Sequence, residues 1–205
     1  DESGRMLVEI GSPFNVYSKP DRQLGAKGMD ATEFQKIYGG FWRFDANKLN
    51  QTQADGMRFS TGHRHALALA WHPVSKSFFM AQMGRDNLNV VDPEHYDELD
   101  NAERVSEVMH QIKEGSNFGW PTTYWDPIKK ARMLAPEFGG DNIKRVDPDP
   151  YDKPLVAFPG HWAPIQMLVY TGAQFPAKYR NGAFVAFHGS WNRAPRAQGG
   201  YQIAF

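Results

Sequence analysis

Short runs of apolar residues, each closed by glycine, proline or a polar turn, recur along the chain. Runs of this length that are rich in aromatic and β-branched residues predict β-strands. The predicted strands cover residues 6–10, 41–44, 66–71, 78–83, 166–170, 183–187 and 201–205. The pattern therefore favours a mostly β protein with long loops.

Other segments carry weaker signals. Residues 1–5 predict a turn, and the spacing of Asp30 and Glu33 matches a helix capping box, which predicts one helical turn up to Tyr38. In residues 105–112 the apolar positions fit both a helical period and one face of a strand, so both alternatives stay open. We expect loops over residues 90–102 and 125–154, which are acidic or rich in Asp, Pro and Gly.

Three strands end in a similar small, polar signature, at residues 11–13, 84–86 and 189–191. Repeated strand–turn–strand units of several tens of residues are typical of β-propeller blades. Because the intervals between the signatures are irregular, a β-sandwich with long loops remains the competing architecture.

The amino-acid composition argues against several classes of function and site. The 23 Lys and Arg residues balance the 23 Asp and Glu residues, and a net charge of zero argues against nucleic acid as the main partner. The absence of cysteine excludes disulfides, zinc–thiolate sites and cysteine nucleophiles. No apolar run reaches the roughly 20 residues that a membrane-spanning helix needs.

The segment 61–65, Thr-Gly-His-Arg-His, places cations just before a predicted strand. One interpretation is a cationic site for a carboxylate or phosphate, in which Arg64 acts mainly on the ligand rather than on folding. The other is a solvated turn whose arginine pairs with a nearby aspartate.

Two further segments combine histidine with tryptophan. Residues 187–193 follow an apolar strand, and residues 159–164 hold a His-Trp pair between two prolines. Each is consistent with a planar ligand that stacks and accepts hydrogen bonds, or with a structural tryptophan. Although serine and histidine are neighbours at 188–190, the Gly-x-Ser-x-Gly elbow of a hydrolase is missing.

Taken in order, seven motifs resemble the sorbosone dehydrogenase-like branch of the PQQ-dependent soluble sugar dehydrogenases. The motifs are residues 10–13, 40–46, 61–66, 84–86, 117–121, 161–164 and 187–193. The resemblance implies an all-β fold, a six-bladed β-propeller that binds PQQ and calcium on one face. The family sequence is about twice as long as this chain. The resemblance therefore implies that residues 1–205 form one partial propeller domain of about three blades.

The resemblance also implies roles for individual residues. Gly84 and Arg85 match a pair whose backbone carbonyls hold the calcium ion. The implied cofactor-binding residues are Arg64, His65, Asp97, His161, Trp162, His188 and Arg193. Two positions depart from the family pattern: His65 stands where many relatives have Asn, and Met83 where they have His or Gln. The segment with the family's catalytic histidine precedes this chain, so no residue here is assigned as the catalytic base.

The function implied is hydride transfer from the C1 hydroxyl of a sugar or aldose to PQQ, in the periplasm or outside the cell. Two alternatives stay open: a non-catalytic β-propeller or carbohydrate-binding module, and a β fragment whose motifs report only core packing. Three blades do not close a ring, so we expect a homo-oligomer or association with the missing blades.

Overall fold

β-Strands dominate the computed structural model, which describes residues 4–205. The strands are β1 (Arg5–Ile10), β2 (Ser18–Lys19), β3 (Lys27–Gly28), β4 (Gly40–Asp45), β5 (Met57–Thr61), β6 (His65–His72), β7 (Ser77–Met83), β8 (Glu107–Ile112), β9 (Ser116–Asn117), β10 (Thr123–Asp126), β11 (Ala131–Leu134), β12 (Val156–Phe158), β13 (Pro164–Val169), β14 (Ala183–Phe187) and β15 (Gln202–Ala204). The α-helices are α1 (Leu88–Val91) and α2 (Glu98–Glu103), and short 3-10 helices cover Phe34–Lys36, Gln53–Asp55, Pro136–Phe138, Ala177–Tyr179 and Trp191–Arg193. Over residues 4–205, no helix has the length and apolar character that crossing a membrane requires.

Three sheets form the body of the fold. The first has the order β1-β4-β5-β9, the second β12-β8-β7-β6, and the third β13-β14-β15. Every pairing in the second and third sheets is antiparallel, whereas β9 joins the first sheet parallel to β5. The hairpins β2-β3 and β10-β11 are separate two-stranded additions.

The second sheet is buried on both faces because it lies between the other two. On one face, Met80 belongs to a cluster that includes Leu7 and Phe41 of the first sheet. On the other face, its neighbour Ala81 packs in a cluster with Met167 and Val185 of the third sheet. Successive residues of a strand point to opposite faces, so Met80 and Ala81 serve the two interfaces in turn.

Small antiparallel sheets that pack face to face in chain order are the blades of a β-propeller. The chain is therefore all-β and forms about three blades, which confirms the predicted fold class. The competing β-sandwich is wrong, because a sandwich has two packed sheets and here a middle sheet is covered on both sides.

The structure confirms all seven predicted strands and corrects other segments. The ambiguous residues 105–112 contain strand β8. The predicted loop at 90–102 holds helix α2, and the predicted loop at 125–154 holds β11 and the end of β10. The residue 30–33 capping box is not formed: Asp30 accepts hydrogen bonds from Thr32, and a 3-10 helix follows at Phe34–Lys36. Of the turn predicted at 1–5, the first three residues lie outside the described residues.

Candidate functional site

A cavity of about 350 Å³ lies where four strands of the second and third sheets end. His65 begins β6, Met83 ends β7, His161 precedes β13 and His188 follows β14. The cavity lining includes five of the predicted site residues: Arg64, His65, Gly84, His161 and His188. Segments that lie far apart in sequence therefore meet at one site.

The three glycine signatures also meet here. Gly84 and Gly189 both line the cavity. At Gly11 an added Cβ would lie 2.4 Å from Nδ1 of His65, so only glycine allows that imidazole to pack against the backbone of the first signature. The repeated signature thus marks the strand ends that surround the cavity.

Arg64 is buried and committed to two acceptors. Its Nη1 donates to the Gly84 carbonyl oxygen at 2.7 Å, and its Nη2 lies 3.0 Å from Oδ2 of Asp86. The Arg64 carbonyl oxygen accepts from the Ser12 amide at 2.9 Å, which fixes the backbone beside the first signature. The predicted pairing of Arg64 with a nearby aspartate is confirmed, but the interpretation of this segment as a solvated turn is wrong, because Arg64 and Asp86 are both buried.

Asp86 accepts hydrogen bonds from three other segments. Besides Arg64, Asn192 Nδ2 donates to its Oδ1 at 2.8 Å, and Nδ1 of His161 lies 3.3 Å from the same oxygen. The backbone amide of Asp86 donates to Asn15 Oδ1 at 2.8 Å. Burial acts to raise the pKa of Asp86, but the hydrogen bond from His161 and the charge of Arg64 outweigh it and lower that pKa to about 2.

Both ring nitrogens of His161 face acceptors. Nε2 lies 2.8 Å from the Asn101 carbonyl oxygen, and Nδ1 faces Asp86. Only the imidazolium form donates from both nitrogens. Burial acts to lower the pKa of His161, but the hydrogen bonds to Asp86 and Asn101 outweigh it, so the pKa is raised. With Arg64, His161 gives the buried side of the cavity a second cation.

Glu107 is a buried carboxyl at the first residue of β8. Its Oε2 accepts from the Gly84 amide at 2.8 Å, and its Oε1 lies 3.4 Å from the Ala163 amide. Burial raises the pKa of Glu107 to about 7. The group therefore changes charge near neutral pH, close to two cations and an ionised aspartate.

Three predicted cofactor residues are absent from this cavity lining. Asp97 is exposed and caps α2, where its side chain accepts from the Asp100 amide at 2.7 Å. Trp162 packs edge-on against Phe187, at 5.4 Å between ring centroids, in the core of the third sheet. Arg193 donates to the Gly160 carbonyl oxygen at 3.0 Å and so ties its loop to the segment before β13.

Arg85, predicted beside a metal, has a buried guanidinium. It forms an ion pair with Glu137, also buried, and its Nη2 donates to the Asp86 carbonyl oxygen at 2.8 Å. These contacts join the second sheet to the 3-10 helix at Pro136–Phe138. The side chain of Arg85 thus has a packing role, whatever its backbone carbonyl contacts.

The sequence interpretation missed two of the charged groups that shape the cavity. Asp86 was recognised only as part of a signature, and Glu107 lies in the segment of ambiguous period. A carboxylate among apolar residues, as in Val105-Ser106-Glu107-Val108, is a usable signal, because such a group is rarely buried without partners. Trp191 and Tyr201, both exposed, supply aromatic surface at the same cavity.

The family model for TrAA12-like proteins matches residues 2–205, so the chain belongs to the TrAA12-like family. An uncharacterised protein of Borreliella burgdorferi is 28% identical over 204 residues, which are 98% of this chain and 42% of that protein.

Solved structures agree on the fold. The calcium structure of Trichoderma reesei Carbohydrate-Active Enzymes Family AA12 aligns with a TM-score of 0.68 at 18% identity, over 98% of this chain and 49% of that one. The holo form of the pyranose dehydrogenase PQQ domain from Coprinopsis cinerea aligns with a TM-score of 0.63 at 20% identity, over 98% and 48%. The chain spans about half the length of these proteins.

The residues present fit the PQQ that the resemblance implies. PQQ is a flat quinone with three carboxylates, and the cavity volume lies within the ~300–1,000 Å³ usual for cofactor-sized ligands. Arg64 and His188 are donors suited to carboxylates, His161 adds positive charge, and the Nε of Arg64 is buried without a partner among the described residues.

The same residues do not form a suitable site for a calcium ion. The Gly84 carbonyl oxygen, implied as a ligand, accepts a hydrogen bond from Arg64, and that guanidinium charge would repel a second cation. Within residues 4–205 no group of three or more His, Asp or Glu side chains is arranged to hold a metal ion.

Proposed function

We propose that the chain carries one wall of the cofactor site of a PQQ-dependent sugar dehydrogenase. In this proposal PQQ occupies the cavity at the ends of β6, β7, β13 and β14, and the substrate is a sugar or an aldose. The observation that carries the proposal is the convergence of Arg64, His161 and His188 on one cavity from three separate segments.

Bound PQQ would supply the quinone that accepts a hydride from the sugar. The residues of the chain bind and orient it. Arg64 and His161 present positive charge to carboxylates from the buried side, and their ion pairs with Asp86 hold both side chains in place. Trp191 and Tyr201 offer exposed rings on which a flat ligand stacks.

Glu107 sets the charge of this wall. When it is neutral, the wall carries the two cations against the single charge of Asp86, and it favours an anionic ligand. When it ionises, near pH 7, the excess of positive charge disappears. We therefore expect PQQ to bind more tightly below pH 7 than above it.

Several features of the proposal come from family resemblance. These features are membership of the sorbosone dehydrogenase-like branch, a calcium ion held by the Gly84 and Arg85 carbonyls, and a periplasmic or secreted location. Calcium at the Gly84 carbonyl oxygen would lie beside the Arg64 guanidinium, so calcium and PQQ should be titrated separately.

The proposal is tested by calorimetric titration of the whole natural protein with PQQ at pH 6. The titration is done with calcium and without it. His188 is exposed, so His188→Gln should leave folding intact and weaken PQQ binding at least severalfold. His95→Gln is the matched control, because His95 is a half-exposed histidine outside the cavity. Lack of PQQ binding, or equal losses in the two variants, would overturn the proposal.

A further inference from the structure

A second cleft, of about 240 Å³, lies between the first and second sheets at the opposite strand ends. His65 and Met83 mark the cavity described above, at the start of β6 and the end of β7. Trp71 near the end of β6 and Ser77 at the start of β7 line the second cleft. Both walls of the cleft come from blades within this chain, so its shape does not depend on further blades.

The cleft concentrates positive charge on a chain whose net charge is zero. Its lining has four cations, Arg5, Arg43, Lys76 and Lys113, against one carboxylate, Glu114. Glu114 lies 3.0 Å from Arg43. Neither Lys76 nor Lys113 forms an ion pair with any residue between 4 and 205. Like charges held together repel, and a bound anion relieves that repulsion.

Aromatic side chains form the apolar part of the cleft. The rings of Trp71 and Phe78 lie 4.8 Å apart at 57°, and the Arg43 guanidinium lies 5.9 Å from the centre of the Phe59 ring. The Nε1 atom of Trp71 is fully buried and has no acceptor among the described residues. Burying an indole N–H without a partner costs free energy, and Trp N–H groups usually find one.

We propose that this cleft binds a sugar that carries an oxyanion, either a carboxylate or a phosphate. The lysines and Arg43 would hold the oxyanion, the rings of Trp71 and Phe78 would cover one face of the sugar, and Trp71 Nε1 would donate to one of its oxygens. The Glu114 carboxylate adds an acceptor for hydroxyl groups, which a sugar has and a simple aromatic acid lacks. A volume below ~300 Å³ suits a single ring rather than a larger ligand.

The proposal is tested by titrating the purified protein with glucuronate and with glucose 6-phosphate, by calorimetry. Glucose, benzoate and inorganic phosphate are the comparison ligands. We expect at least one charged sugar to bind at least tenfold more tightly than all three, and the better of the two identifies the oxyanion. Equal binding of glucose would overturn the anion site, and equal binding of benzoate or inorganic phosphate would overturn the sugar part.

Variants connect the binding to the cleft. The double variant Lys76→Gln/Lys113→Gln removes two of the cations that would hold the oxyanion, and should weaken binding of the charged sugar at least tenfold. Because both side chains are exposed, the substitutions should leave the core intact. Lys178→Gln, on a surface outside the cleft, is the matched control and should change nothing. Trp71→Phe keeps a ring but removes the N–H, and should weaken binding severalfold. Unchanged affinity in the double variant would overturn the proposal.

Discussion

The Arg64 guanidinium and the Asp86 carboxylate form an ion pair, 3.0 Å apart, with both side chains buried at the rim of the cavity. The pair joins the start of β6 to the segment after β7, and His161 and Asn192 attach two more segments to the same carboxylate. The candidate site therefore also holds the second and third sheets together at this end. Folding and ligand binding consequently share residues.

We predict that Arg64→Met destabilises the protein by about 3–5 kcal/mol, the usual loss when one partner of a buried ion pair is removed. This revises the expectation from sequence that Arg64 acts mainly on a ligand. Arg196→Met is the control, because Arg196 pairs with Glu103 at the exposed surface and such pairs contribute at most about 1 kcal/mol. Urea denaturation measures both losses, and equal small losses would contradict the prediction.

The raised pKa of Glu107 predicts a pH dependence of stability. The folded protein holds this proton up to about pH 7, whereas the unfolded chain releases it near 4.5, so the folded state binds more protons in between. Stability contributed by Glu107 is therefore lost as pH rises through this window, by about 3 kcal/mol at most. His161, with its raised pKa, loses its own contribution above pH 6.5.

Glu107→Gln resembles the neutral acid and should remove the first of these losses. The variant should match the wild-type protein at pH 4.5 and exceed its free energy of unfolding at pH 8. Asp86 stays ionised over this range, since its pKa is about 2. Chemical denaturation at a series of pH values checks the prediction, and parallel curves for the two proteins would refute it.

We predict that Gly62→Ala is far more destabilising than Gly115→Ala. Both glycines have φ near +84° and so bear the same left-handed backbone cost, about 1 kcal/mol for alanine. At Gly62 an added Cβ would also lie 2.8 Å from the backbone nitrogens of Phe118 and Gly119, whereas at Gly115 nothing lies within 4 Å. Thermal unfolding should show a loss several-fold larger for Gly62→Ala, and similar losses would show that the 117–121 turn moves freely.

Sequence alone located seven of the fifteen described strands, because the signal for those strands is local. Runs such as residues 183–187 carry it in their own composition, and β14 covers the same residues. Segment 105–112 needed the structure, because both periods fit and the choice depends on β7, with which β8 pairs. Hairpin β10-β11 was missed since its strands are four residues each and lie among turn-forming residues.

The candidate site was predicted only in part, because local motifs identify residues but not their distant partners. Motif resemblance brought Arg64, His161 and His188 into one list, and the structure brings them to one cavity. The same resemblance could not separate a guanidinium that faces the cavity from one that packs elsewhere. Arg85 meets Glu137, 52 residues further along, and Arg193 meets Gly160, 33 residues earlier, and no local pattern encodes such pairings.

The outer face of the third sheet predicts self-association of the 205-residue chain. Met167 and Val185 point towards the second sheet, so their strand neighbours Leu168 and Phe184 point away from it. Ile203 pairs with Ala186, the residue after Val185, and therefore also points away. Leu168 and Ile203 are 61% and 71% exposed. In a propeller this face packs against the next blade, and blades without a polar cap are poorly soluble. We therefore expect the chain to hide the face in a dimer that buries more than ~2,000 Å².

Light scattering at micromolar concentration measures the association directly. The double variant Leu168→Glu/Ile203→Glu should shift the chain towards monomer, because it places carboxylates in the apolar contact. Leu49→Glu is the control: Leu49 is a similarly exposed leucine in a loop near the first sheet, so its charge should leave the association unchanged. A stable 23.3 kDa monomer of the wild-type chain would contradict the prediction and show that this face stays exposed to solvent without association. If both variants dissociated the dimer equally, the contact would lie elsewhere on the chain.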